Sequence, residues 1–312
     1  NRPIRRVGLA VVGLMLILVV QLTYLQVVDA KKLAHDPRNS REALSDFTRP
    51  RGAILSADGK ILARSDPSND EYQNQRVYPF GELFAQTVGY QSVVVGSAGV
   101  EKSYNAALAG RDLRGLGIRD IGDVLLNKDH VANVVLSLRT DVQAVAKQAL
   151  GTQRGSVVVL EPATGSLIAM YSNPSFDPNP LSSHKVKDVN AYFNLLTADP
   201  TNPMLPRAYR ERFPPGSTFK IVTTEAALDT GTATPTTLFP TVRSITPPQA
   251  GQAIQNFGGS SCGGTLEQSF VKSCNTTFAK LGLDLGDKFP PQMSGFGIYE
   301  SPPIDLSPGA VV

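Results

Sequence analysis

Histidine, cysteine and unbalanced charge are what this 312-residue chain has least of, and each shortage closes off a class of function. Its three histidines, His35, His130 and His184, are scattered without ligand spacing, which argues against a metal site. The glycines of Gly96-Ser97-Ala98-Gly99-Val100-Glu101 suggest a phosphate loop, but no lysine follows in the required position, so the stretch reads as a structural turn. Nothing here calls for a cofactor. The formal charge of +3 equals the contribution of Arg2, Arg5 and Arg6, which leaves the rest of the chain formally neutral. No basic stripe with interleaved aromatics remains to hold nucleic acid. Two cysteines occur, Cys262 and Cys274. An exported domain in an oxidising compartment permits a bridge between them, and two buried thiols are the other reading.

What the chain does have begins at its N-terminus. From Val7 to Val28 there is no charged residue, and Leu9 to Val20 is almost wholly aliphatic, long enough to cross a bilayer as a helix. The run leaves through Gln21, Thr23, Gln26, Val27 and Val28, not through an A-x-A-like site, so it reads as an uncleaved signal anchor. The three arginines ahead of it predict a cytoplasmic N-terminus. Everything after about Asp29 is then extracytoplasmic, on a single-pass plasma-membrane protein. Lys31 to Thr48 is charged and uneven and reads as a juxtamembrane stalk. The length suits about two domains, and a chain that opens on Asn1 is expected to be a piece of a longer one.

The chemistry points to Ser217-Thr218-Phe219-Lys220, an S-x-x-K directly behind Pro214-Pro215-Gly216. The apolar run Phe219, Ile221, Val222, Ala226, Ala227, Leu228 predicts a helix buried on more than one side and stopped by Gly231. Ser217 then sits at a helix N-terminus with Lys220 on the same face, able to take the serine proton. Burial and the helix dipole both disfavour an ammonium there, so a neutral amine can act as base. The same short pattern recurs at Ser182-Ser183-His184-Lys185 and Ser269-Phe270-Val271-Lys272. Only Ser217 has the stop and the helix start that the chemistry needs.

Around this stretch, Arg51 to Ala63 reads as a hairpin about Asp58-Gly59. Thr140 to Leu150 reads as a helix with Val142, Val145, Ala146 and Ala149 at helical spacing, a Thr140/Gln143 capping box and a Gly151 stop. Ser156 to Glu161 and Ser166 to Ser172 predict a hairpin within a buried sheet. A long polar connection runs from Asn173 to Arg212, and beyond Gly231 the Thr-, Pro- and Gly-rich chain predicts loop as far as Gly264. Thr265 and Gln268 form a second capping box, opening a helix that reaches Ser273-Cys274-Asn275 before an apolar segment resumes at Phe278. Held between helical segments, Ser273 and Asn275 are expected to face a cavity, with Cys274 turned toward Cys262.

Together these residues resemble the class B penicillin-binding proteins, and within them the actinobacterial penicillin-binding protein A group. The resemblance rests on the anchor, Arg51-Gly52-Ala53-Ile54, Gly99-Val100-Glu101, Gly155 to Pro162, Asn173-Pro174-Ser175-Phe176-Asp177-Pro178-Asn179, Phe213 to Lys220, and Ser273-Cys274-Asn275. It implies an α+β fold: cytoplasmic stub and anchor over residues 1–28, stalk and mixed N-terminal pedestal domain over 29–138, and an incomplete transpeptidase domain over 139–312. That last domain would be of the penicillin-binding and serine β-lactamase type, an antiparallel sheet with helices. The implied activity is a D,D-transpeptidase that cross-links peptidoglycan stem peptides and is acylated by β-lactams. Ser217 would attack the D-Ala-D-Ala carbonyl, Lys220 would take its proton, Ser273 would relay a proton to the leaving amine, and Asn275 would hold the peptide and orient Lys220. A RodA/FtsW-type glycan polymerase is the implied protein partner.

The family's Lys-Thr/Ser-Gly element appears nowhere; Lys280-Leu281-Gly282 lacks the hydroxyl and falls in the predicted helix after Asn275. A fragment inactive by itself is therefore expected. A β-lactamase would need a positioned base, and no E-x-x-L-N arrangement lies downstream. A D,D-carboxypeptidase and a non-catalytic membrane-anchored scaffold of the cell-wall complex are the rival readings.

Overall fold

The computed structural model describes residues 2–25, 47–111 and 131–306. Most of the expected stalk, the end of the anchor, His35 and His130 lie outside the described residues. Helix α1 (Arg2–Thr23) contains the stretch Arg5–Thr23, whose mean hydropathy of 2.2 makes it long and apolar enough to cross a membrane. At 1.5 Å per residue such a helix spans about 30 Å, the thickness of a hydrocarbon core. The chain divides into two compact units, Asn1–Ala208 and Tyr209–Val312. Both mix helices with short strands, the α+β character expected.

In the first unit, strands β1 (Ile54–Leu55), β2 (Ile61–Pro67), β3 (Asn74–Val77) and β4 (Val134–Val135) form a sheet of order β3-β2-β1-β4. The β1–β2 hairpin turns at Asp58-Gly59 as expected, with Gly59 at φ 73°. Helix α2 (Thr140–Leu150) also has the expected bounds and stops at Gly151, but its N-terminus is closed differently. The predicted capping box does not form. Asp58, from the hairpin turn, accepts from both the backbone N–H and the hydroxyl of Thr140, and that hydroxyl bond holds its carboxyl well below the usual carboxylate range. Gln143 is instead fully buried: its Nε2 donates to the carbonyls of Leu83 and Met170 and its Oε1 accepts from the Met170 N–H. A carboxylate brought in from elsewhere outcompetes the local cap, and the freed glutamine serves the sheet.

Strands β5 (Gly155–Leu160) and β6 (Leu167–Asn173) pair antiparallel, with α2 packed on one face through Ala146, Val142 and Leu150. Ala169, Met170 and Tyr171 on β6 are buried, whereas Val158 and Leu160 on β5 are 42% and 55% exposed. The expected burial on both sides is thus not met among the described residues. The polar connection after Asn173 is also more regular than predicted: it holds helix α3 (Val186–Ala198), anchored by Val189 and Leu196. Those two residues lie seven apart, two turns of one face, a signal diluted by the polar residues between them.

The second unit is built round helix α4 (Lys220–Asp229). Strands β7 (Leu238–Val242), β8 (Ser244–Ile245), β9 (Ile254–Gln255) and β10 (Cys262–Thr265) form the antiparallel pairs β7–β10 and β8–β9, where loop was predicted. They escape local rules because each is only two to five residues long and its partner is remote: Thr265 pairs with Leu238. Helix α5 (Leu266–Val271) starts at the predicted Thr265/Gln268 capping box, and α6 (Asn275–Leu285) follows. Ala226, Ala227, Phe239, Leu266, Phe278, Leu281 and Leu285 make the core. Contrary to expectation, α4 is buried on one side only: Ile221 and Leu228 remain 56% and 44% exposed and, with Phe270, line a surface groove.

The first unit is locked by a buried ion cluster joining two of the sequence boxes. Glu101, fully buried, accepts from Arg51 Nε at 2.8 Å and Arg76 Nε at 2.6 Å, and Arg51 Nη2 also reaches the Glu101 backbone carbonyl at 2.9 Å. Tyr78 Oη completes the shell at 3.3 Å. Gly52, beside Arg51, is required by close approach: a Cβ there would meet the Ala132 carbonyl oxygen at 2.0 Å. Glu101→Ala leaves two guanidiniums in a dry interior, so it is expected to destabilise this unit by about 3–5 kcal/mol. Denaturant unfolding of the variant at the wild-type midpoint would contradict this.

Candidate active site

Pro214 and Pro215 deliver the chain into a 3-10 turn, Gly216–Phe219, that runs directly into α4. Gly216 at φ 57° makes the entry possible, and Thr218 Oγ1 closes it by donating to the Pro215 carbonyl at 2.6 Å. Ser217 is exposed on this turn, three residues before Lys220, and the lysine Nζ comes within 3.3 Å of Ser217 Oγ. The two other S-x-x-K serines cannot do this: Ser182 and Ser269 are both fully buried, bonded to the Pro178 carbonyl and to Thr277 Oγ1 respectively.

Lys220 Nζ also lies 2.8 Å from Ser273 Oγ, 2.8 Å from the Ser273 carbonyl and 2.7 Å from Asn275 Oδ1. Ser273 Oγ donates to Ser217 Oγ at 3.2 Å, closing a ring of hydroxyl, hydroxyl and amine. All four residues singled out from the sequence therefore converge. A neutral amine in this place would have two N–H donors for the two carbonyl oxygens, which can only accept, and a lone pair left for a hydroxyl. The Phe278 ring centroid lies 5.5 Å from Nζ, and burial pulls Lys220 below the ordinary lysine value.

The triplet is held between α5 and α6 as expected, but its backbone is unusual. Ser273 has φ 56°, a left-handed conformation in which glycine or asparagine is the usual occupant at a helix C-terminus. The bonds Ser273 N–H to Phe270 carbonyl and Cys274 N–H to Ser269 carbonyl wind off α5 around it. Cys274 is fully buried and bridged to Cys262, with 5.4 Å between Cα atoms, which ties the triplet to strand β10. Two further contributors have no motif. Gln255, in the stretch read as loop, accepts from Asn275 Nδ2 at 2.9 Å through its carbonyl, and Phe278 lies one turn into α6. A backbone carbonyl carries no side-chain signal, and Phe278 read only as core.

The bridge is expected to stabilise the second unit by about 3 kcal/mol on the chain-entropy account of a loop this short. Replacing Cys262 and Cys274 together by serine should lower the denaturation midpoint accordingly; midpoints that agree with and without the bridge would show that it braces nothing.

Two known families match, in chain order. The family described as the penicillin-binding protein A dimerisation domain matches residues 51–135, and that described as the penicillin-binding protein transpeptidase domain matches residues 155–309. Peptidoglycan D,D-transpeptidase PbpA of Mycolicibacterium smegmatis is 39% identical over 314 residues, covering 97% of this chain and 63% of that protein. The chain thus spans less than two thirds of that relative's length. The crystal structure of penicillin-binding protein A from Mycobacterium tuberculosis superposes with TM-score 0.77 at 34% identity, over 84% of this chain and 62% of that one. The same protein as a penicillin G acyl-enzyme complex gives TM-score 0.74 at 35% identity, over 80% and 59%. Sequence order, domain matches and fold agree in making this chain a member of the penicillin-binding protein family.

Proposed function

We propose that the protein is a peptidoglycan D,D-transpeptidase in which Ser217 is the nucleophile. The observation that carries this is the state of Lys220 Nζ, held by two acceptor-only oxygens with a serine hydroxyl 3.3 Å away. In the reaction, the Ser217 Oγ–H proton passes to Lys220 as Oγ bonds to the carbonyl carbon of the penultimate D-Ala of a stem peptide. The backbone N–H of Ser217 faces the developing oxyanion as one donor of an oxyanion hole. Collapse of the tetrahedral adduct breaks the peptide bond, and the terminal D-Ala amine leaves with a proton relayed through Ser273. Asn275 holds the peptide and keeps Lys220 oriented. The amine of a second stem peptide then attacks the acyl-enzyme, forming the cross-link and returning the proton to Ser217. β-Lactams acylate the same oxygen, as the penicillin G complex of the Mycobacterium tuberculosis relative supports.

The rest of the chain is assigned on the same reading. Helix α1 anchors the protein in the plasma membrane with Arg2, Arg5 and Arg6 on the cytoplasmic side, and residues 29–138 form a pedestal ahead of the transpeptidase module from 139 onward. The anchor and pedestal are the surfaces for a RodA/FtsW-type glycan polymerase. Protease added to intact spheroplasts is expected to cut the chain, and full protection would reverse the topology.

In the complete protein a fluorescent penicillin is expected to label Ser217 covalently. Lys220→Ala should slow labelling by about 100-fold or more, the usual cost of losing a general base. The labelling rate should fall as pH drops, because acid protonates the base; with burial holding Lys220 below its ordinary value, that fall should come at a lower pH than an exposed lysine would give. Undiminished labelling of Ser217→Ala would place the nucleophile elsewhere. Transfer of the acyl group to water in preference to an amine would make the enzyme a carboxypeptidase.

A further inference from the structure

Asn256 belongs to no motif, lies between short strands that left no sequence signal, and is only 4% exposed. A buried amide must find its hydrogen bonds inside the protein, and Asn256 finds them on both sides of the site. Its Nδ2 donates to the carbonyls of Val242 at 2.9 Å, Ser260 at 3.2 Å and Arg243 at 3.4 Å. Its Oδ1 accepts from the backbone N–H of Thr276 at 3.0 Å and from Thr276 Oγ1 at 3.2 Å.

Thr276 is the second residue of α6, a helix whose N-cap, Cys274, makes no side-chain cap bond. Asn256 satisfies one of the donors that a helix start leaves orphaned, acting as a cap from outside the helix. The residue before it, Gln255, presents its carbonyl to Asn275 Nδ2 at 2.9 Å. An amide has one donor end and one acceptor end. With Nδ2 on the Gln255 carbonyl, Asn275 Oδ1 is left to face Lys220. Were the amide turned over, an N–H would meet Lys220 and compete for the lone pair that the serine proton needs.

We propose that Asn256 is a positioning residue for the Ser217 chemistry: by holding the Thr276 N–H and the Gln255 carbonyl in one frame, it fixes the Asn275 amide with its oxygen on Lys220. This rests on the reading of Ser217 as a nucleophile activated by Lys220. Asn256 touches no reacting atom and acts through Asn275. The groups that face Lys220 are Ser217, Ser273, Asn275 and the Phe278 ring, and among the described residues no carboxylate pairs with it to substitute for the Asn275 oxygen.

The test is the pH dependence of penicillin acylation in the complete protein, with the rate constant taken on the fraction that labels. Asn256→Ala is expected to lower the alkaline plateau by about tenfold or more, part of what a general base supplies. It should also move the half-maximal pH downward, since the lysine ammonium loses an acceptor that favoured it. Thr276→Val, which removes the hydroxyl shared between Asn256 Oδ1 and the Cys262 carbonyl and keeps the side-chain shape, should shift both in the same direction by less. A smaller labelled fraction with an unchanged rate constant and half-maximal pH would make Asn256 merely structural and overturn the proposal. If Asn256→Ala does not fold, Thr276→Val decides by the same criterion. Wild-type labelling at Ser217 that Lys220→Ala slows secures the underlying reading whatever Asn256 does; its absence removes both.

Discussion

Lys220 has more oxygen neighbours than a neutral amine has donors, and the second unit depends on how that shortage is resolved. Four oxygens lie within 3.3 Å of Nζ, from Ser217, Ser273 twice and Asn275. Acceptors of this number favour an ammonium, and burial opposes it. Burial prevails, lowering the lysine below its ordinary value. In the neutral amine, two carbonyl oxygens that can only accept would take both donors and leave the lone pair to the hydroxyls. An amine held in this way depends for its orientation on both carbonyls being held still.

Holding them still is the work of the surrounding structure. The Ser273 carbonyl reaches Lys220 from a left-handed residue, φ 56°, a conformation costing on the order of 1–2 kcal/mol for a side chain with a Cβ. Glycine would relieve the strain and remove the hydroxyl that bonds Ser217. The strain persists because the bonds leaving α5, the bridge from Cys274 to β10 and the bond to Lys220 together over-determine the backbone. The Asn275 oxygen is held through Gln255 on one side and Lys220 on the other.

The first unit solves a related problem with the opposite chemistry. Glu101 binds two guanidiniums, one on each carboxylate oxygen, where the second unit surrounds an amine with uncharged oxygens. It joins Arg51, just ahead of β1, to a residue fifty positions away and draws that segment, β3 and the Gly99–Ser103 helix together. Removing one member would strand charge in a dry interior.

Local rules were enough for much of this chain. Proline, glycine and apolar spacing located the Ser217 turn and α4, the Asp58-Gly59 hairpin, the ends of α2 and the Thr265/Gln268 cap, and the four residues that converge in the candidate site were legible as motif positions. Local rules failed where a distant partner intervened: Asp58 displaced the Thr140/Gln143 box, α4 kept an exposed face, and the strands between Leu238 and Thr265 read as loop. The inventory of chemistry was thus written in the sequence, because residue type and helical spacing are local properties. Which end of the Asn275 amide meets Lys220, the sign of φ at Ser273 and the partners of Asn256 were settled only in the folded unit, because each is fixed by a hydrogen bond or bridge from another part of the chain.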